Sequence, residues 1–599
     1  MPSLGAVSRL EAILLDVVLV FLIAVSAWFI VLRFSIGWPL GAVFAVAIVS
    51  VVSFGALRAV GATERASSES YLFSCVIVTV AVAWVFWTYW AGVVLPGHDP
   101  IIVPTLADRI ARGLLPIASY QPGDGAYTYP PGYPIAFIPI VLMLDKITAL
   151  TVFKAMSLLT AALIPASWAW LLTRLFPISK SIWISLLLSY AVFFGLERTL
   201  LFGVAGKNSL YLMQLLAPPT ILIMLRASER WRGGPIGALA LFGLLLIHYS
   251  ALHLVACIMA GCAMVDLVRR DLDIRRMLVL AMMGVTATAM LLLLYGEALV
   301  DPRHEGFRFG EIANALGIIA HALTAESNPL LVISHAVDVG LIRSPYRGPL
   351  LLASAAIALV AWWRLRTREA ASIAAGASAF LAAIVAALAM AAELVPAGIK
   401  ADFVRWFLWT IQAGLMFFGG LAVIALINAS RARQILGGAC ALVVLFAVGF
   451  VSYRDRTQFR LANAWLAVHR SELQQLRTLL LKATDPERPC FLLGQHSGVG
   501  SFANEFVHQP FVLAYAEFLT PCTFANGGWL HQPVPDGRAL EGYPSIAVMN
   551  GLLHQGSVLF VGAVAAQSAY ATRLGSDFHW SSAGDFSSYH LWRIERGGQ

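Results

Sequence analysis

The chain has 599 residues, of which 59% are hydrophobic and 12% are charged, whereas about 25% of the residues of a typical soluble protein are charged. A mean hydropathy of +0.77 excludes a soluble multidomain enzyme, because no soluble fold has enough interior to bury so much apolar surface. The formal charge of +8 does not indicate a nucleic-acid partner, since Lys and Arg of a membrane protein mark its cytoplasmic loops. The composition predicts a polytopic α-helical membrane protein.

Apolar stretches long enough to cross a bilayer, which takes about 20 residues, occur about thirteen times along the chain. The first is too long for the apolar part of a signal peptide and lacks a small-residue cleavage site, so we expect it to be retained. Tyr133–Leu144 is apolar but short and follows Pro130-Pro131, which favours a re-entrant or interfacial helix. The predicted spans are Ala12–Leu32, Trp38–Leu57, Tyr71–Leu95, Leu150–Leu172, Ser181–Leu196, Asn208–Leu225, Pro235–Tyr249, Ala251–Val268, Met277–Leu299, Pro349–Trp363, Ala370–Ala392, Phe403–Ile427 and Ile435–Val451.

Basic residues concentrate in alternate loops, which predicts a cytoplasmic N-terminus. The opposite short loops carry only Arg33, Arg198, Lys207 and Lys400. An odd number of spans then places everything after Val451 outside. This topology requires 235–268 to cross twice, with a break at His248-Tyr249-Ser250, because one long helix there would invert all that follows. The basic loops contain Arg58, Arg65, Arg174, Lys180, Arg226, Arg230, Arg232, Arg269, Arg270, Arg275, Arg276, Arg364, Arg366, Arg368, Arg431 and Arg433.

The pattern divides the chain into a transmembrane module, 1–451, and a small extracytoplasmic α/β domain, 452–599. The module carries two large outer loops, 96–133 and 300–348. Within the C-terminal region we predict an amphipathic stretch at Phe459–Lys482, a helix at Ala566–Leu574, and strands at Cys490–Gly494, Val558–Val561 and Tyr589–Ile594. Cys490 and Cys522 are the two cysteines of this polar region, and in an oxidising compartment they are candidates for a disulfide.

The first outer loop carries the motif most informative about function. His98-Asp99-Pro100 follows the third span, and an amphipathic helix is predicted at Leu106–Leu114, with a glycine at Gly113. Tyr120 and Tyr129-Pro130-Pro131 lead back to the membrane. This arrangement resembles the GT-C superfamily of polytopic, lipid-carrier-dependent glycosyltransferases. Two spans precede the motif-bearing helix here, where that family usually has one.

The resemblance implies transfer of a sugar from a polyprenyl-phosphate donor to a glycan, lipid or protein acceptor on the outer face of the plasma membrane. Asp99 would be the general base that accepts the acceptor's hydroxyl proton, and a single displacement would invert the anomeric carbon. Arg405 would clamp the lipid phosphate, because a guanidinium binds phosphate with two parallel hydrogen bonds. The resemblance implies no cofactor and no metal, and the His and acidic residues between His304 and Asp338 fit no metal-ligand spacing.

Further polar residues are expected at the same outer level of the membrane, where a charge is usually either an interfacial anchor or functional. Arg405, beside Trp406, could instead be an anchor whose side chain snorkels to the membrane interface. His248 could instead be a hydrogen-bonding residue of that interface. The predicted substrate-binding residues are His98, Tyr127, Tyr129, Glu197, Arg198, Lys207, His248, Tyr249 and Arg405.

Two other functions remain open at this point. A transporter or flippase would place broken helices near the membrane centre, and Pro218-Pro219 interrupts one predicted span. A polysaccharide polymerase or ligase would use a diphosphate-linked donor and place key residues in a late outer loop. The loop 300–348 offers Arg303, His304, His321 and Arg343 for that role.

Overall fold

The structure of the protein is a computed structural model. The segments that it describes are 9–34, 68–90, 99–113, 130–175, 208–229, 231–252, 273–300, 470–485, 487–494, 518–520, 522–524, 546–562, 564–586 and 589–597, with isolated positions at 48, 186–187, 189–190, 193, 254–255, 435, 439, 442–443, 446 and 515.

Eight α-helices form the described part of the predicted transmembrane module. They are α1 (Arg9–Arg33), α2 (Ser68–Tyr89), α3 (Asp99–Ala111), α4 (Gly132–Met143), α5 (Lys146–Leu175), α6 (Asn208–Ala227), α7 (Gly234–Ile247) and α8 (Ile274–Val300), with a 3₁₀ turn at Trp231–Gly233 before α7.

Four of these helices are long and apolar enough to cross a bilayer: Ala12–Arg33, Lys146–Leu171, Asn208–Ala227 and Ile274–Tyr295. They confirm four of the predicted spans. Helices α2 and α7 also lie where spans are predicted. The other predicted spans fall wholly or largely outside the described residues and stay predictions.

Helix α7 is almost completely buried and packs against its neighbours at glycines. A Cβ on Gly243 would lie 2.4 Å from the carbonyl oxygen of Leu22, and one on Gly237 would lie 2.4 Å from the sulfur of Met283. Ser26 of α1 donates to the carbonyl oxygens of Leu22 at 2.9 Å and Leu239 at 3.4 Å. Small residues allow such close approach between helices in lipid, so α7 serves as the central helix of the described bundle.

Two arginines tie helix ends together. The Arg33 Nε, at the end of α1, donates to the Leu294 carbonyl near the end of α8, at 2.9 Å. Arg276, near the start of α8, donates to the Leu225 carbonyl at 2.8 Å and to the Ser228 hydroxyl at 3.0 Å, both at the end of α6. The predicted topology assigns the first pair of ends to the outer side and the second to the cytoplasmic side. Which side faces the cytoplasm stays a prediction.

The C-terminal region contains a five-stranded mixed sheet with the order β2-β1-β3-β5-β4. Strand β1 pairs in parallel with β2 and β3, and β5 pairs antiparallel with β3 and β4. The elements are α9 (Arg470–Ala483), β1 (Cys490–Gly494), β2 (Thr523–Phe524), α10 (Ile546–Gln555), β3 (Ser557–Gly562), α11 (Val564–Leu574), β4 (Phe578–Phe586) and β5 (Tyr589–Arg596). The arrangement is the α/β type that the sequence predicts, although β2, β4 and α10 were not predicted.

Each face of the sheet has its own core. Leu493, Val558, Phe560 and Ile594 pack with α10 and α11 in a separate cluster. On the other face, Leu492, Leu559, Val561 and Leu591 share one apolar cluster with α9 and with the helices of the module. The alternation of side chains along a strand produces these two faces, and one of them joins the sheet to the helical bundle.

Candidate functional site

Asp99 is the first residue of helix α3. The sequence places the start of this helix at Leu106, and that boundary is wrong. Pro100 falls in the first turn, where a proline is tolerated because the backbone N–H groups there have no intrahelical partner. The helix ends at Ala111, and Gly113 adopts a φ of +89°, the left-handed conformation typical of a residue just past a helix end. Helix α3 therefore fixes the backbone of Asp99 relative to the rest of the module.

Helix α3 is seated inside the fold. The side chains of Ile101, Val103, Leu106 and Ile110 are fully buried in the same cluster as the transmembrane helices. Asp108, a charged residue of the same helix, is itself only 8% exposed. The buried environment rigidifies the segment that begins at Asp99.

Asp108 joins three parts of the chain. Its carboxylate accepts hydrogen bonds from Arg112, one residue past the end of the same helix, and from Lys146 at the start of α5. The ammonium of Lys146 also lies 4.7 Å from the ring centroid of Phe518, in the C-terminal region. A cation over an aromatic face is attracted by the ring quadrupole. The first outer loop, helix α5 and the C-terminal region therefore meet at one polar cluster.

Asp145 caps helix α5 next to that cluster. Its Oδ1 accepts hydrogen bonds from the backbone N–H groups of Ile147 at 3.1 Å and Thr148 at 3.2 Å. The hydroxyl of Thr148, with these two N–H groups, holds the pKa of the Asp145 carboxyl below its usual value. The cap fixes the end of α5 that carries Lys146.

The return of the first outer loop meets the end of α7. After Pro130-Pro131, Gly132 begins α4, and a Cβ on Gly132 would lie 2.6 Å from the carbonyl carbon of Leu246. Helix α4 is largely buried, which is compatible with the predicted re-entrant helix. The Tyr-Pro-Pro motif thus leads to a point two residues before His248.

The chain breaks its helix at His248, as the two-span interpretation expects. Helix α7 ends at Ile247, and His248 has an extended backbone. The Nδ1 of His248 lies 2.7 Å from the Ser250 hydroxyl and accepts the Ser250 backbone N–H at 3.3 Å. Because Nδ1 accepts, a neutral imidazole carries its proton on Nε2. The half-buried ring is held in a defined orientation close to the loop return.

Lys154 is a buried cation that the sequence analysis did not include in the site. It lies on α5 with an exposed fraction of 0%, and its Nζ is 5.0 Å from the ring centroid of Trp90. Trp90 follows helix α2 on the way to Asp99. The sequence feature that could have indicated it is a single lysine in an otherwise apolar stretch. An ionisable residue inside the membrane costs free energy and is usually functional.

The first half of helix α6 presents buried polar side chains that were also missed. Asn208, Ser209 and Gln214 are 5%, 2% and 1% exposed. No described residue donates a hydrogen bond to the Oδ1 of Asn208 or the Oε1 of Gln214. A buried oxygen without a donor costs free energy, so these positions are candidates for contact with a polar ligand.

Most of the predicted site residues lie outside the described residues. For Asp99 the structure describes the backbone, and for His248 and Tyr249 the side chains as well. In the described ranges, no three His, Cys, Asp or Glu side chains cluster as a metal site would require. The predicted residues that fall outside are His98, Tyr127, Tyr129, Glu197, Arg198, Lys207 and Arg405.

The fold of the chain is similar to that of a solved structure over nearly the whole of both chains. One such structure is ArnT from Cupriavidus metallidurans in the apo state, at a TM-score of 0.50 and 12% sequence identity. The superposition covers 88% of this chain and 98% of that one. No family model and no curated protein matches the sequence.

Proposed function

We propose that the protein is a membrane glycosyltransferase that transfers a sugar from a polyprenyl-phosphate donor to a glycan, lipid or protein acceptor of the cell envelope. The observation that supports this most directly is the position of Asp99, at the first residue of helix α3 in a chain whose fold is similar to that of ArnT. The reaction takes place on the outer face of the plasma membrane, with the N-terminus in the cytoplasm and the C-terminal sheet outside.

Asp99 acts as the general base in this proposal. Its carboxylate accepts the proton of the acceptor hydroxyl while the hydroxyl oxygen attacks the anomeric carbon. The bond between that carbon and the phosphate oxygen breaks, and the polyprenyl phosphate leaves with the electron pair. One displacement inverts the configuration at the anomeric carbon. No metal or other cofactor takes part.

The other predicted residues bind the two substrates. Arg405, with Arg198 or Lys207, holds the phosphate, since guanidinium and ammonium groups stabilise the charge that the leaving group acquires. His98, Tyr127, Tyr129, Glu197, His248 and Tyr249 contact the sugar or the acceptor. The fixed ring of His248 beside the loop return supports its inclusion.

The buried polar groups of α5 and α6 extend this site. Asn208 and Gln214 offer carbonyl oxygens without a donor among the described residues, and these suit sugar hydroxyl groups. Lys154 provides a buried positive charge near the chain that leads to Asp99. We assign these three residues to donor recognition as part of the same proposal.

The test compares Asp99→Asn with Asp145→Asn in purified protein supplied with polyprenyl-monophosphate-linked sugars. Asp99→Asn should lower transfer at least a hundredfold, because an amide cannot accept the proton. Asp145→Asn should stay within twofold of the parent, since asparagine also caps helices well. Transfer is measured as labelled sugar in the acceptor fraction, and folding as the thermal unfolding midpoint.

Retained transfer in a folded Asp99→Asn protein would exclude Asp99 as the base. Parallel assays with diphosphate-linked donors separate the proposal from the polymerase or ligase alternative, which predicts activity with those donors alone. Movement of labelled lipid across vesicles without a new glycosidic bond would instead identify a transporter.

A further inference from the structure

The C-terminal region contains a polar groove that the proposed reaction does not use. It lies where the end of α10 meets the start of β3 and the end of β5, and it has a volume of about 470 Å³. Arg488, Asn550, His554, Arg593, Glu595 and Arg596 line it. Pockets for small-molecule ligands are commonly about 300–1,000 Å³, so the groove is large enough for a mono- or disaccharide.

Positive charge is in excess in the groove. The lining contains three guanidinium groups and one carboxylate. Of the three, only Arg593 forms an ion pair with that carboxylate, with its Nε 3.2 Å from the Glu595 Oε1. Arg488 and Arg596 form no ion pair with any residue in the described segments. His554 adds an imidazole to the same lining. Two guanidinium groups are therefore available to an anion.

The backbone around the groove is closely constrained. The Ser557 N–H donates to the Pro489 carbonyl at 2.8 Å, which holds Arg488 beside the start of β3. A Cβ on Gly556 would lie 1.9 Å from that carbonyl oxygen, so only glycine allows this approach. On the other side, the pairing of Val558 with Ile594 fixes where the end of β5 lies. The arginines are thus positioned by the sheet itself and not by a loose loop.

The groove lies at one end of the sheet, where β3 begins and β5 ends. Ile594 and Leu553, which line it, belong to or pack against the cluster that contains Val558 and Phe560. The opposite face of the sheet packs against α9 and the bundle. Arg488, His554 and Arg596 are exposed, so a ligand reaches the groove from the aqueous side, which favours a water-soluble saccharide over the head groups of the surrounding bilayer.

We propose that this groove binds an anionic sugar unit, carboxylated or phosphorylated, of the acceptor; this rests on the function proposed above. Arg488 and Arg596 bind the anionic group, because a planar guanidinium matches a carboxylate or phosphate with two hydrogen bonds. Asn550 lines the same groove, and its amide can donate hydrogen bonds to sugar hydroxyl groups and accept them. The groove thus selects an acidic acceptor.

The experiment measures binding to the full-length protein in phosphatidylcholine nanodiscs without any donor. The probes are cellobiouronic acid, its neutral counterpart cellobiose, and glucose 6-phosphate. At least one acidic probe should bind tenfold more tightly than cellobiose, and its affinity should fall as salt screens the charge. The tighter of the two acidic probes identifies a carboxylate or a phosphate as the recognised group.

The double variant Arg488→Gln/Arg596→Gln should lose at least tenfold in affinity, and Lys482→Gln on the exposed side of α9 should lose none. If the glutamine variant does not fold, Arg488→Lys/Arg596→Lys keeps the charge but loses the paired hydrogen bonds, and a threefold or larger loss still supports the proposal. Equal binding of acidic and neutral probes, unchanged affinity in the double variant, or binding to anionic lipid vesicles only would overturn it. This binding assay does not depend on sugar transfer. If the Asp99→Asn protein is inactive but still binds the acidic probe, the groove proposal is supported whatever the transfer assay shows.

Discussion

The carboxylate of Asp108 pairs with two cations, Lys146 and Arg112, and these two side chains differ in their exposure to solvent. The side chain of Lys146 is 22% exposed and that of Arg112 is 44% exposed, while the Asp108 side chain is 12% exposed. Solvent screens an exposed ion pair strongly, and removal of one partner from a buried pair leaves an uncompensated charge. The Lys146 contact should therefore contribute more to stability than the Arg112 contact.

The prediction at this scale compares three variants. Asp108→Asn should lower the free energy of unfolding by about 2 kcal/mol, because two partly buried cations lose their carboxylate. Lys146→Met should cost about 1 kcal/mol and Arg112→Gln about 0.5 kcal/mol or less. A double-mutant cycle between Asp108 and Lys146, measured by thermal unfolding in detergent, should give a coupling of about 1 kcal/mol. An Arg112→Gln variant as unstable as Asp108→Asn would contradict this ranking.

Helices α4 and α7 illustrate how elements reach van der Waals contact in this fold. Gly132 starts α4 directly against the Leu246 and Ile247 backbone. The approach needs a residue without a side chain, and it brings the end of the first outer loop to His248. The geometry of the proposed site thus depends on the absence of one methyl group.

Gly132→Ala tests this dependence against Gly284→Ala. The first variant should lose about 1–3 kcal/mol of stability, because the backbone atoms of α7 must move away. The second should lose less than about 0.5 kcal/mol of stability, because no atom lies within 4 Å of the new methyl group and alanine favours a helix. Thermal unfolding of the two proteins under the same conditions provides the comparison. Similar midpoints would show that α4 and α7 can separate without cost.

At the scale of the whole molecule, the sheet and the bundle share one apolar core that runs from α1 to Leu591. The Cys490–Cys522 disulfide, with Cα atoms 4.4 Å apart, lies within this core and ties β1 to the segment that carries Phe518. The bond closes a loop of 32 residues in sequence separation. Such a crosslink restricts the unfolded chain more than the folded one.

Removal of the disulfide should therefore loosen the sheet. In the Cys490→Ser/Cys522→Ser double variant, the stability of the C-terminal region should fall by about 2–4 kcal/mol, visible as faster hydrogen exchange in peptides that cover β1. Dithiothreitol should reproduce the effect in the parent protein and leave the double variant unchanged. Cys75→Ala removes a free cysteine of α2 and should not alter exchange in β1. Equal exchange with and without the bond would show that packing alone holds the sheet.

The sequence predicts the parts of this architecture that long apolar runs encode. Helices α1, α5, α6 and α8 follow from such runs, and β1 is predicted at its observed bounds, because an apolar strand interrupts a polar region. Strand β4 was missed, since Ser581, Ser582, Gly584 and Asp585 interrupt the apolar pattern of Phe578–Phe586. It pairs along one edge of the sheet and needs little apolar character.

The candidate site is less accessible to prediction than the fold. Asp99 and the loop return follow from their motif, whereas Lys154 and Gln214 do not, because the rotation of an apolar helix decides whether a lone polar residue faces protein or lipid. The contact between Asp108 and Lys146 joins residues 38 positions apart. Its existence depends on how α3, α4 and α5 pack, which no local pattern specifies.

The stacking of Lys146 on Phe518 has a consequence for biosynthesis. The ribosome delivers Lys146 hundreds of residues before Phe518, so the early helices enter the bilayer while their aromatic partner has yet to be translated. The polar cluster of Asp108, Arg112 and Lys146 then stays without this contact until the C-terminal region has been made and has formed its sheet. A nascent chain that stops before the C-terminal region leaves an inserted bundle in which Lys146 has no contact with Phe518. Completion of this polar cluster is therefore the last event in assembly.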